Sequence, residues 1–234
     1  MPPFAMLAFD ADDTLWHNER LYVDAQARLA DLLSAYQDGK WVRQRLFQTE
    51  SHNMQHYGYG IKAFTLSMIE TAIELTEGKI SGQDLGQILA VAKGMLNAEV
   101  ELLDHVGETI PLLAETHPLM LITKGDLLEQ ERKIKRSGMA RYFKHVEIVS
   151  QKSRENYSEL LKQHGIPPER FLMVGNSPRS DILPILELGG NAVYIPYETT
   201  WLHEAADLPP EGQAGFYALQ HMGELPALIA GLEK

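Results

Sequence analysis

Short apolar runs alternate with longer amphipathic stretches over most of the chain. Runs of four to eight apolar residues that end in turn-forming residues are typical of buried strands. Helical spacing of the apolar residues between the runs predicts helices there, and strict strand–helix alternation indicates a parallel, doubly wound sheet with right-handed crossovers. The predicted strands span 4–9, 118–123, 146–149, 170–175, 190–195 and, as a last edge strand, 215–219.

The stretch between the first two predicted strands has a different pattern. Its apolar residues recur at helical spacing throughout, and Ser81 followed by Asp84 is typical of a helix N-terminus. We therefore predict an α/β core domain with a Rossmann-like sheet (1–16 and 106–234) and an inserted all-helical domain (17–105). The helices predicted in the insertion span 19–36, 41–56, 61–75 and 81–97.

Polar residues follow four of the predicted strands at the point where each strand ends. In open α/β sheets, ligands bind outside the carboxyl ends of the strands. The side chains at these four ends should therefore converge on one edge of the sheet and form a site. The residues are Asp10, Asp12, Thr123, Lys124, Lys152, Asn176 and Asp181.

Composition narrows the classes of function that fit. The 234 residues carry a formal net charge of −11, which argues against a nucleic-acid footprint. The absence of cysteine excludes disulfides, thiolate metal sites and a cysteine nucleophile. No run approaches the roughly 18 apolar residues of a membrane helix, and the N-terminus lacks the basic segment of a signal peptide. We expect a cytoplasmic protein without a membrane partner, and its oligomeric state cannot be read from the sequence.

Carboxylates, ammonium groups and a hydroxyl at one sheet edge suit phosphoryl transfer. Carboxylates hold a hard cation such as Mg²⁺, which takes one or two of them together with phosphate and water. A lysine and a hydroxyl offset the charge of the phosphoryl oxygens. A further carboxylate can attack phosphorus and form an aspartyl-phosphate.

Four segments of the chain resemble, in order and spacing, the motifs of the haloacid dehalogenase-like (HAD) superfamily. The chain is similar to its phosphatase branch with a helical cap of the first type. The segments are Phe9–Leu15, which resembles Asp-x-Asp-x-Thr, then Leu121–Gly125, Lys152 and Gly175–Asp181.

This resemblance implies roles for individual residues of the first three motifs. Asp10 is the nucleophile that attacks phosphorus, and Asp12 protonates the leaving oxygen and then activates the hydrolytic water. Thr123 and Lys152 join these two aspartates in contacting the substrate phosphate. Lys124 is a further candidate for a phosphate contact, although a solvated lysine is the alternative.

The resemblance also implies a Mg²⁺ site. The Asp10 carboxylate, the Asp12 backbone carbonyl and Asp181 would hold the ion, with Asn176 acting through a metal-bound water. Asn176 stands where phosphatases of the family often carry aspartate, so weaker Mg²⁺ binding is expected. Asp13 replaces a common glycine of the first motif and is assigned no role.

The expected function is a Mg²⁺-dependent phosphatase that hydrolyses a small phosphorylated metabolite, either a sugar phosphate or a nucleotide. A phosphomutase, a haloacid dehalogenase of the same fold and a non-catalytic phosphate-binding relative remain alternatives. Haloacid dehalogenases lack the second aspartate of the first motif, so Asp12 argues against that reading. The cap would set specificity, and its helices carry no motif that names a substrate.

Overall fold

The computed structural model describes residues 4–199 and 204–233. These residues form two compact units. The first contains the described residues up to Glu19, Val100–Lys124 and the described residues from Lys133 onwards. The second contains Arg20–Glu99 and Gly125–Arg132.

The first unit is built on one sheet of six parallel strands in the order β3-β2-β1-β4-β5-β6. β1 lies centrally, with Phe9 opposite Leu121 of β2 and Val174 of β4. All six strands predicted from the apolar runs are confirmed, including the edge strand. They are β1 (Met6–Phe9), β2 (Leu119–Lys124), β3 (His145–Val149), β4 (Phe171–Gly175), β5 (Asn191–Tyr194) and β6 (Phe216–Ala218).

Alternate residues of the strands are buried on opposite faces of the sheet. Leu7 and Phe9 belong to one hydrophobic cluster, whereas Met6 and Ala8 belong to another. Both clusters are completed by helical residues, so both faces are covered, as the prediction of a doubly wound sheet requires. The helices outside the insertion are α5 (Val106–Ala114), α6 (Leu127–Ser137), α7 (Arg154–His164), α8 (Leu183–Glu187) and α9 (Leu225–Leu232).

The second unit is helical wherever it has regular structure and has its own hydrophobic core. Ser81 caps its last helix by accepting a hydrogen bond from the Asp84 amide at 3.0 Å, as predicted. The first helix ends at Leu32 and not at Tyr36, because the Ser34 and Tyr36 amides donate three residues back and tighten the chain into turns. The four helices of the insertion are α1 (Glu19–Leu32), α2 (Gly39–Tyr57), α3 (Ile61–Leu75) and α4 (Gly82–Asn97).

Residues 125–132 follow β2 in the chain, and the predicted domain boundaries place them in the core domain. In the structure they cluster with the helical unit. The Ile61 amide donates to Glu129 Oε2 at 2.9 Å, and Lys62 forms an ion pair with Asp126 at 2.7 Å. These contacts join residues distant in sequence, so periodicity gives no sign of them.

Glu50 provides a test of stability within the helical unit. It is buried, and desolvation raises its pKa from 4.5 to about 7. An unfolded chain loses this proton near pH 4.5, whereas the folded chain keeps it until about pH 7, so Glu50 lowers stability as pH rises through that window. We expect Glu50→Gln to raise the free energy of unfolding by roughly 2 to 3 kcal/mol at pH 8 and by much less at pH 5.

Urea unfolding of both proteins at the two pH values measures this difference. Glu99→Gln, at an exposed position of the same unit, is the matched control and should change stability little at either pH. An equal gain from Glu50→Gln at pH 5 and pH 8 would contradict the assignment of a buried, protonated carboxyl.

None of the helices in the described part of the chain is long and apolar enough to cross a membrane.

Candidate active site

The predicted site residues of the first unit lie where its strands end. Asp10 directly follows β1, and its amide donates to the Val174 carbonyl of β4 at 2.9 Å, which continues the strand pairing. Thr123 is buried near the end of β2, and Asn176 directly follows β4. Because these strands are parallel neighbours, the three residues share one edge of the sheet.

Lys152 joins two carboxylates that lie far apart in the sequence, Asp10 and Asp181. Its ammonium donates to Asp181 Oδ1 at 2.8 Å and also to Asp10 Oδ1. All three side chains are buried, with Asp181 only 1% exposed. A single cation therefore balances two carboxylates in a water-poor environment, where charge interactions are strong.

Burial and the attraction between Lys152 and the carboxylates have opposite effects on the pKa values of Asp10 and Lys152. Burial raises the pKa of Asp10 to about 6, against the lowering effect of Lys152, and the neighbouring Asp181 adds to the rise. Burial alone would lower the pKa of Lys152, but the two carboxylates outweigh it and hold that pKa above its ordinary value. Lys152 therefore stays charged at neutral pH.

Thr14 links the nucleophile candidate to the fourth motif. Its hydroxyl lies 3.0 Å from Asp10 Oδ2 and 3.2 Å from Asn176 Oδ1, and its single hydrogen is shared between these two acceptors. The role of Thr14 was not assigned from the sequence, although it occupies the threonine position of the first motif. It fixes the orientation of the Asp10 carboxylate and brings the Asn176 amide next to it.

The loop between β4 and α8 holds Asp181 in a close approach to the backbone. The Ser177 amide donates to Asp181 Oδ2 at 3.0 Å. A Cβ at Gly175 would clash with the same oxygen and with the rest of the Asp181 side chain, so only glycine fits at that position.

The donor set fits magnesium chemically. The side-chain oxygens of Asp10, Asp181 and Asn176 are hard ligands, which Mg²⁺ prefers, and no sulfur or imidazole lies among them. Within residues 4–199 and 204–233, no three acidic, histidine or cysteine side chains converge as a metal site.

Asp12 has partners that the sequence did not indicate. Its Oδ1 accepts hydrogen bonds from the Trp16 indole at 2.7 Å and from Lys133 at 2.8 Å, and its Oδ2 accepts from Lys133 at 2.6 Å. The Trp16 ring is fully buried, so it packs in the core and also orients Asp12. Lys133 lies on α6, and no motif or spacing distinguishes it from the other charged residues of that helix.

Asp13, which was assigned no role, fixes the path of the chain towards α1. It adopts the left-handed conformation (φ 62°), and its Oδ1 accepts hydrogen bonds from the Asn18 and Glu19 amides at 2.8 and 3.0 Å. Burial raises its pKa to about 7. Its contacts are structural, and they explain why a polar residue replaces glycine there.

Lys124 is not a solvated lysine. Its side chain is 17% exposed, donates to Ser180 Oγ at 3.0 Å and pairs with Glu204. Burial is the main reason that its pKa falls to about 8, and the Lys152 ammonium lowers it further. Glu204 lies 80 residues downstream of Lys124, and no motif or spacing in the sequence indicated its place at the site.

Solved structures similar to this chain share its fold over nearly the full length. A haloacid dehalogenase-like family hydrolase from Xanthomonas campestris is 38% identical with a TM-score of 0.88, over 99% of this chain and 92% of that chain. A 2-haloacid dehalogenase from Pseudomonas syringae pv. Tomato is 21% identical with a TM-score of 0.63, over 98% and 99%. A predicted phosphoglycolate phosphatase from Haemophilus somnus is 16% identical with a TM-score of 0.62, over 97% and 99%. The last two similarities concern the fold alone.

The sequence matches no curated protein. A family model described as haloacid dehalogenase-like hydrolase matches residues 4–189, which include every site residue discussed above except Glu204. The family model, the 38% identical structure and the arrangement of Asp10, Lys152 and Asp181 agree, and the chain belongs to the haloacid dehalogenase-like hydrolases.

Proposed function

We propose that this hydrolase is a Mg²⁺-dependent phosphatase that acts on a small phosphate monoester through an aspartyl-phosphate on Asp10. The observation that carries the proposal is the presence of a second, oriented carboxylate, Asp12, close to the nucleophile candidate. Its negative charge contributes to the raised pKa of Asp10, which reflects this proximity. An alkoxide leaving group needs a proton, whereas a departing halide does not, so an oriented second acid favours phosphate-ester chemistry.

Asp10 is the nucleophile in this proposal. One of its carboxylate oxygens attacks phosphorus, the bond from phosphorus to the ester oxygen breaks, and Asp12 gives that oxygen a proton. Asp12 then takes a proton from water as the water attacks the aspartyl-phosphate, which releases phosphate and restores Asp10. The contacts of Asp12 with Trp16 and Lys133 limit where its carboxylate can point during these two proton transfers.

Charge explains the need for the cations. A carboxylate and a phosphate about 4 Å apart repel by roughly 4 kcal/mol at an intermediate dielectric. Lys152 offsets this repulsion from beside Asp10, and the Thr123 hydroxyl and the Lys124 ammonium add donors for phosphate oxygens. Asp10, Asp181, Asn176 and the Asp12 carbonyl would hold Mg²⁺, which supplies further positive charge at the phosphoryl group.

The substrate proposed is a small phosphorylated metabolite of the sugar phosphate or nucleotide class, and the proposed location is the cytoplasm. The substrate class rests on the chemistry of the site, because the residues named above would bind a phosphoryl group and correspond to no other part of a substrate.

Parallel assays test the reaction class. Phosphate release from p-nitrophenyl phosphate should require Mg²⁺ and stop in EDTA, whereas chloride release from 2-chloropropionate should be absent in both conditions. Chloride release in EDTA without phosphate release would replace the proposal with dehalogenation. Transfer of phosphate to a sugar hydroxyl in place of water would indicate a phosphomutase. Absence of turnover on a broad phosphate panel, with no Mg²⁺ binding by calorimetry, would indicate a non-catalytic protein.

Asp12→Asn tests the acid role directly. Because kcat/KM reports steps up to formation of the aspartyl-phosphate, we expect it to fall by about 100-fold or more for glycerol 2-phosphate, whose leaving oxygen needs a proton. For p-nitrophenyl phosphate, whose leaving group needs none, the fall should be small. For both substrates kcat should drop, since hydrolysis of the intermediate has lost its base. Equal losses of kcat/KM on the two substrates would argue that Asp12 orients the site and transfers no proton.

A further inference from the structure

A cluster of four polar side chains lies beside the residues of the proposed reaction. Glu204 is at its centre and accepts from the Lys124 ammonium, from the Ser177 hydroxyl and, at 2.5 Å, from the Ser180 hydroxyl. Lys124 also donates to Ser180 at 3.0 Å. The Glu204 side chain is only 13% exposed, and a carboxylate removed from water to that degree needs such partners.

The cluster joins three separate parts of the first unit. Lys124 is the last residue of β2, Ser177 and Ser180 lie in the loop after β4, and Glu204 lies beyond β5. The Glu204 carboxylate contacts both the strand end and the loop, with one oxygen on Lys124 and the other on the two serines. Glu204 is therefore a single group that fixes one strand end relative to the neighbouring loop.

Within the loop, hydrogen bonds connect the two serines that Glu204 holds to Asp181. The Ser180 amide donates to Ser177 Oγ at 3.0 Å, while the Ser177 hydroxyl itself donates to Glu204. The Ser177 amide donates to Asp181 Oδ2 at 3.0 Å, and the Asp181 amide donates to the Ser177 carbonyl at 2.8 Å. Displacement of Ser177 would consequently displace the Asp181 carboxylate and its contact with Lys152.

We propose that Glu204 is a positioning residue of the active site, which holds the loop of Asn176 and Asp181 against Lys124 so that both keep their places beside Asp10. The expected effect of Glu204 on Mg²⁺ binding rests on the proposed function, whereas the anchoring of the loop does not. Loss of the Glu204 charge leaves the Lys124 ammonium without its carboxylate partner and two serine hydroxyls without their strongest acceptor.

Amide hydrogen exchange of the Mg²⁺-free protein tests the anchoring. In Glu204→Gln, we expect the amides of Ser177, Ser180 and Asp181 to exchange at least tenfold faster than in the wild type. Glu198→Gln is the matched control, because Glu198 is an exposed glutamate of the same connecting segment. Its exchange should stay within twofold of the wild type, and the thermal midpoints of all three proteins should agree within a few degrees.

Mg²⁺ titration calorimetry and kinetics separate positioning from a general loss of structure. For Glu204→Gln we expect a 5- to 20-fold weaker Mg²⁺ Kd and a kcat on p-nitrophenyl phosphate lowered at least tenfold, with KM changed less than threefold. The double variant Lys124→Met with Glu204→Gln should lose little more than Lys124→Met alone, because the two side chains act as a pair.

The possible results decide between the two proposals. Wild-type exchange of the three loop amides in Glu204→Gln would overturn the positioning role, whatever the enzyme's reaction. Faster loop exchange in a protein that shows neither Mg²⁺ binding nor phosphatase activity would support the positioning role and refute the proposed function.

Discussion

Replacement of Asp10 with asparagine is expected to lower phosphate release from p-nitrophenyl phosphate by at least about 1,000-fold. The amide has almost the same shape as the carboxylate but is not a nucleophile, so no aspartyl-phosphate can form. The carbonyl oxygen of the new side chain can still accept a hydrogen bond from Lys152, and its NH₂ group can face Thr14 and Asn176. The protein should therefore remain folded, and thermal unfolding checks this.

Asp104→Asn is the matched control for this substitution. Asp104 is an exposed aspartate of the same unit, and its replacement should leave the rate within twofold. Mass spectrometry of wild-type enzyme quenched in acid during turnover should find the added phosphoryl mass on the peptide that contains Asp10, and the Asp10→Asn protein should lack it. Activity that survives in Asp10→Asn would show that water attacks phosphorus directly.

The sheet and the strand-end residues could be predicted because each corresponds to a pattern of neighbouring residues in the sequence. A buried parallel strand must be apolar along its whole length, as Met6–Phe9 is, and a charged residue directly after such a run needs a reason beyond packing. Once the strands are parallel neighbours, Asp10, Thr123 and Asn176 must share an edge. The order of the strands in the sheet therefore brings three positions that are distant in sequence into one site.

Lys133 and Glu204 could not be predicted, because their roles depend on where distant segments come to lie. Lys133 is one of several charges on a polar helix surface, and only its proximity to Asp12 distinguishes it. Glu204 follows a connecting stretch without apolar periodicity. The grouping of residues 125–132 with the helical unit has the same origin, since it depends on contacts of Asp126 and Glu129. Sequence patterns report burial and turns, whereas these residues pair across the fold.

Replacement of Lys152 with methionine is expected to affect both activity and folding. Methionine nearly matches the length of the lysine stem, but the Asp10 and Asp181 carboxylates would lose their shared cation while still buried. Breaking a buried ion pair by removing one partner typically costs about 3 to 5 kcal/mol of the free energy of unfolding. We also expect kcat/KM on p-nitrophenyl phosphate to fall by about 100- to 1,000-fold, because the charge that offsets the phosphoryl oxygens is gone.

A double variant separates these two losses. Of the two buried carboxylates that pair with Lys152, the combination of Lys152→Met with Asp181→Asn leaves only Asp10, so urea unfolding should show that much of the lost stability returns. Activity should stay at or below the level of the single variant, because neither change restores a cation beside Asp10 and Asp181→Asn removes a carboxylate proposed to hold Mg²⁺. Lys162→Met, at an exposed lysine of α7, is the control and should alter neither quantity appreciably. Recovery of activity together with stability in the double variant would mean that Lys152 serves the fold and not the reaction.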